Sequence, residues 1–89
     1  MTNRREVEYD SKAAKEIRAL PRHIQARIIA KAESLGADPY PPGSVKLAGG
    51  SGLWRIRTGD YRIIYQVADF RLLITVVKVG HRRDVYRGT

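Results

Sequence analysis

Residues 53–67 read LWRIRTGDYRIIYQV, two runs rich in β-branched and aromatic residues on either side of Thr58-Gly59-Asp60. Two such runs joined by a short glycine-containing turn predict a β-hairpin, with strands near Leu53 to Arg57 and Tyr61 to Val67. A third apolar run, Leu72 to Val79, follows the turn Ala68-Asp69-Phe70-Arg71, so the second half reads as an antiparallel meander. Side chains alternate faces along a strand, which sends Trp54 and Ile56 one way and Arg55 and Arg57 the other. Arg62 sits among Tyr61, Ile63 and Ile64 in a strand apolar enough to be central, where an unpaired charge is costly. It needs a partner or an open cleft.

Working outward toward the N-terminus, Asp38 to Gly52 holds three prolines and four glycines and predicts an extended surface segment with little regular structure. Loops of that length are uncommon without a function, though a plain connector fits equally. Before it, Ile24, Ile28, Ala32 and Leu35 recur at helical spacing and Gly36 supplies a stop, which predicts a helix opening near Pro21. Ala13, Ile17 and Leu20 form the stripe of a preceding helix capped by Asp10 or Ser11. Arg4 to Tyr9 alternates around Val7 and Tyr9 as a short half-buried strand does. A helical hairpin and a meander each expose one apolar face, and packing them together buries both. The expected fold class is α+β, with an N-terminal strand and helical hairpin on an antiparallel sheet, as a single domain over residues 1–89.

The chain has 89 residues, enough for one modest core. It has no cysteine and two isolated histidines, so the sequence gives no reason to invoke a metal or any cofactor. The longest apolar stretch, Leu72 to Val77, is too short to cross a bilayer, and MTNRREVEYD lacks a signal-peptide hydrophobic region. A cytoplasmic protein is expected.

Net charge is +8, and arginine supplies most of the basic residues. A field of that sign concentrates polyanions, with nucleic acid the first candidate. The excess is densest from Arg55 onward. An open sheet face carrying Arg55, Arg57 and Arg62 would hold guanidinium groups able to grip phosphates through paired hydrogen bonds. VGHRRDVYR, which begins at Val79, adds His81, Arg82, Arg83 and Tyr86, and Gly80 permits a change of direction that could return them to the same face. Tyr86 would supply a ring for stacking on a base, as suits single-stranded RNA. His81 is either a surface residue beside a turn or a proton carrier. Lys46, Arg83 and Arg87 are further candidates for contact with RNA or the ribosome. Trp54 and Tyr65 are expected in the core and His23 exposed. The bland alternative for each arginine is a solvated charge or an ion pair with Asp60, Asp69 or Asp84.

KLAGGSGLWRIRTGDYRIIYQV followed by VGHRRDVYR resembles the RelE branch of the RelE/ParE toxin superfamily, and the resemblance extends over essentially the whole chain. It implies the toxin of a type II toxin-antitoxin system, a metal-independent endoribonuclease that cleaves messenger RNA in the ribosomal A site using the RNA's own 2′-hydroxyl as nucleophile. It further implies a cognate antitoxin, RelB-like or other, and a toxin-antitoxin hetero-oligomer bound to operator DNA through the antitoxin, with no membrane involved. Positions matching the family's catalytic set are Arg55, Arg57, Arg62, Arg82 and Tyr86. Some members carry lysines at the positions of Arg55 and Arg57. Arginine stays protonated near neutral pH and is a poor base, which makes His81 the better candidate for proton transfer. Two alternatives keep the fold: a ParE-like inhibitor of DNA gyrase, and a non-catalytic protein that binds RNA or the ribosome.

Overall fold

The computed structural model describes residues 4–49, 52–68 and 70–81. In chain order its elements are β1 (Glu6–Tyr9), α1 (Ser11–Arg18), α2 (Arg22–Ser34), β2 (Val45–Lys46), β3 (Leu53–Thr58), β4 (Tyr61–Val67) and β5 (Leu73–His81). They form one five-stranded sheet in the order β1-β5-β4-β3-β2. The meander is antiparallel, as the sequence predicts, and β1 joins it parallel to β5. The sheet is therefore mixed. Within the proline segment, β2 pairs Val45 and Lys46 with Arg55 and Trp54, a short rung of order that the glycine and proline content conceals.

Asp10 caps α1, its Oδ1 accepting from the Ala13 amide at 2.8 Å. Pro21 opens α2, and its carbonyl accepts from the Ile24 and Gln25 amides. After α2 the chain passes close to β1. A Cβ on Gly36 would lie 2.5 Å from the Arg5 carbonyl oxygen, so only glycine fits where the Arg5 amide donates to the Gly36 carbonyl. The β3–β4 connection is a two-residue turn in which Gly59 has φ 59° and Asp60 has negative φ, the form that requires glycine at the first turn position.

One sheet face meets the helices. Ile56, Ile63, Tyr65, Val67, Ile74, Val76 and Val79 pack there against Ala13, Ile17, Ile28, Ala32 and Leu35. Burying each large aliphatic chain stabilises the fold by about 1.5–3 kcal/mol. In β5, Val77 has no partner: Val76 opposes Tyr65 and Lys78 opposes Ile64. This β-bulge shifts the alternation by one residue, which brings both Val76 and Val79 to the core and leaves Gly80 opposite Arg62.

Candidate nucleic-acid interface

Residues opposite one another in an antiparallel ladder project from the same face. Arg57 pairs with Arg62 and Arg55 with Ile64, so the three arginines share the sheet face turned away from the helices. Gly80, paired with Arg62 on its other side, adds no side chain there. Like charges directly opposite each other cost roughly 0.2–1 kcal/mol. Arg62 adds a larger cost, because its Nε and Nη1 are buried without a hydrogen-bond partner. A buried donor left unsatisfied costs about 1–3 kcal/mol, and guanidinium cannot shed its charge to relieve it. An oxyanion supplied from outside would satisfy both nitrogens.

The three arginines line a cavity of about 450 Å³ together with Lys31, Pro42, Gly43, Val45 and Ile56. Among the described residues, its lining carries four cations and no carboxylate. A second cavity, of about 430 Å³, makes the contrast. It too contains a buried unpartnered guanidinium nitrogen, Nε of Arg5, but Glu6, Glu8 and Glu33 line it alongside Arg4 and Arg5. Of the two, the first combines unsatisfied donors with charge of a single sign among the described residues.

The proline segment is fastened over the sheet by two aromatic contacts. The Tyr65 hydroxyl donates to the Pro39 carbonyl at 2.7 Å, and the Tyr40 and Trp54 rings lie 4.7 Å apart. Burial pushes the Tyr65 phenol up to about 12, beyond the opposing influence of Ser44 and with smaller upward contributions from Tyr40 and Asp38. Tyr65 is fully buried and Trp54 packs against the core, as expected from sequence, and His23 is exposed.

His81 departs from expectation. It pairs with Tyr61, its ring meeting the Tyr61 ring edge-on at 5.6 Å, and Tyr61 packs against the core. The register therefore places His81 on the opposite face from Arg55, Arg57 and Arg62, because it is one step along β5 from Gly80. Lys46 is exposed on β2 and pairs with Trp54, on the helix-facing side. Arg82, Arg83, Tyr86 and Arg87 lie outside the described residues. The sequence reading missed Lys31, Pro42 and Gly43. Lys31 lies on the charged side of α2, where no pattern in the sequence distinguishes a cavity from solvent.

The two-helix hairpin, the mixed sheet and the cationic cavity at β3 define a small α+β protein with a basic site on one sheet face. A family model described as the ParE toxin of type II toxin-antitoxin systems, parDE, matches residues 7–86. The chain is 37% identical over 87 residues to a RelE-like toxin protein of Escherichia coli, covering 93% of this chain and 90% of that one. It is 28% identical over 82 residues to toxin RelG of Mycobacterium tuberculosis, covering 91% and 94% of the two chains. Among solved structures, a chain of the toxin-antitoxin complex RelBE2 from M. tuberculosis superposes with a TM-score of 0.79 at 25% identity, over 89% of this chain and 99% of that chain. The chain belongs to the ParE toxin family of type II toxin-antitoxin systems and is a toxin of the RelBE-like kind with a RelE-like fold.

Proposed function

We propose that this toxin is a ribosome-dependent endoribonuclease that enters the A site, cleaves messenger RNA there and so inhibits translation in the cytoplasm. The observation that carries the reading is Arg62: buried nitrogens without partners, flanked by Arg57 and Arg55 in a cavity lined by no carboxylate among the described residues. In the reaction the 2′-oxygen attacks the adjacent phosphorus, the bond from phosphorus to the 5′-oxygen breaks, and a 2′,3′-cyclic phosphate and a free 5′-hydroxyl result. Fixed guanidinium groups serve this chemistry without metal, because negative charge accumulates on the phosphoryl oxygens in the transition state and preorganised cations stabilise it. Arg62 would hold a non-bridging oxygen through two parallel hydrogen bonds. Arg55 and Arg57 would lower the pKa of the 2′-hydroxyl. Its proton passes to solvent or to a phosphate oxygen, since arginine does not accept it and His81 stands on the other face. From the family resemblance, Arg82 would stabilise the charge on the leaving 5′-oxygen, which takes its proton from solvent, and Tyr86 would orient the nucleotide.

The partner proposed is a cognate antitoxin whose acidic or amphipathic segment folds over the basic surface. The relative in complex RelBE2 is itself a toxin-antitoxin assembly. A second reading, inhibition of DNA gyrase, is favoured by the ParE name of the matching family model. Primer extension on translated messages after induction of the chain separates the readings. Defined breaks within codons support the nuclease; intact messages with double-strand DNA damage support gyrase inhibition; neither effect leaves RNA or ribosome binding without cleavage.

A further inference from the structure

We propose that Lys31, on helix α2, binds the phosphate of a nucleotide neighbouring the scissile one, so that the RNA path runs from the arginine face around the β3 edge onto the helix layer. The proposal rests on the nuclease or RNA-binding reading of the arginine cavity and adds to it a contact from a different element.

Three observations place the path. First, β2 pairs only with Trp54 and Arg55, so among the described residues no strand lies beside the outer edge of β3 from Ile56 to Thr58. The cavity opens at that edge and is lined from both sides, by Arg55, Arg57 and Arg62 from the sheet and by Lys31 from α2. Second, Lys31 is half-buried and makes no ion pair among the described residues. Its position follows from helix geometry: Ile28 and Ala32 point into the core, and Lys31 occupies the flank between them and solvent. Third, the flank continues as a basic line. Arg27, one turn earlier, reaches over the β3–β4 turn, where its Nη1 lies 3.1 Å from the position of a Cβ on Gly59. An extended polyanion leaving the arginine site along the open edge of β3 meets Lys31 next.

A lysine suits this position. It acts as a point charge on a flexible stem and can follow a phosphate without fixing its orientation, whereas the bidentate arginines hold the reacting group.

The test is the salt dependence of binding of a 2′-O-methyl RNA oligonucleotide, which cannot be cut, to the full chain. Each phosphate contact on a single strand contributes about 0.7 to the slope of log affinity against log salt. Lys31→Met keeps the aliphatic stem and is expected to lower the slope by about 0.7 and the affinity by about fivefold near 0.1 M salt. Lys31→Arg should restore both. Lys12→Met removes the same charge from α1, which packs at β5, and should behave as the wild type. If Lys31→Met matches Lys12→Met while Arg62→Gln lowers the slope, the Lys31 assignment is wrong and the arginine site stands. If Arg57→Gln and Arg62→Gln also leave the slope unchanged, the nucleic-acid reading of the cavity itself fails.

Discussion

Arg57 and Arg62 are direct partners across the β3–β4 hairpin, two guanidinium groups on one face in a cavity whose described lining holds no carboxylate. Isolated from ligand, that arrangement opposes folding: like charges face each other, and two nitrogens of Arg62 are buried without partners. Sites of this kind persist where a ligand supplies what the fold withholds. Function and stability should therefore separate at this position.

Arg62→Met should lose activity without losing stability. Removing one preorganised electrostatic contact in such a site lowers turnover by about 100-fold or more. Replacing the buried charge by an apolar chain of similar length removes an unsatisfied group, so the urea midpoint should stay level or rise by the equivalent of about 1 kcal/mol. Growth arrest on induction, read beside urea unfolding of the same variant, checks both halves. A variant that is inactive because it is unfolded would contradict the account.

His81→Ala should retain cleavage within about threefold, because a group on the far face has no path to the reacting proton at hydrogen-bond distance. The ring lies on Tyr61, so the expected consequence is a small loss of stability, about 0.5–1.5 kcal/mol. Cleavage on programmed ribosomes is the measurement. A loss as large as that of Arg62→Ala would restore the histidine as a proton carrier and would require the end of β5 to rearrange on the ribosome.

How far the sequence discloses this site depends on which interaction places each residue. The shared face of Arg55, Arg57 and Arg62 follows from the alternation of strands and a two-residue turn, both local rules, and it is readable from residues 53–67. The placement of His81 is not, because it depends on the bulge at Val77, which shifts the alternation of β5 relative to β4. An unbroken ladder would carry the register on from Val76 and give a different face. Lys31 and the Pro42–Gly43 wall are invisible for another reason: they reach the cavity through tertiary packing of α2 and through the Tyr65 and Trp54 contacts that hold the proline segment down. The parallel pairing of β1 with β5 likewise joins segments far apart in sequence.

Tyr65→Phe tests that fastening. The substitution keeps the buried ring and removes the donor to the Pro39 carbonyl, at an expected cost of about 1 kcal/mol and with faster amide exchange in the segment around Pro39–Val45. The pH dependence gives a second readout. Because the folded phenol is raised to about 12, its stabilising contribution is complete below the ordinary tyrosine range near 10 and is lost as pH rises toward 12. Tyr9, half-buried and donating to Glu33 at 2.7 Å, shifts in the same direction. Urea unfolding from pH 9 to 11.5 should show declining stability in the wild type and a shallower decline in Tyr65→Phe; parallel curves would refute the assignment.

Glu16 decides how β5 ends. Beyond Val76 the outer edge of β5 has no strand partner among the described residues, since β1 stops at Tyr9, and the Val79 amide donates instead to Glu16 Oε1 at 2.9 Å. The second oxygen, Oε2, stands 3.6 Å from Lys78 Nζ. A carboxylate from α1 thus does the work of a missing strand immediately before the stretch that carries Arg82 and Tyr86. Glu16→Gln retains an oxygen acceptor and should cost little, because the partly exposed ion pair contributes at most about 1 kcal/mol. Glu16→Ala leaves the Val79 amide without a partner and should cost about 1–3 kcal/mol. Hydrogen exchange at Val79 distinguishes the two: protection should persist in the glutamine variant and collapse in the alanine variant. Any loss of cleavage should follow the same order, because both depend on how firmly the end of β5 is held. Equal protection in both variants would mean that the bulged strand holds its own edge and that Glu16 serves only as a surface charge.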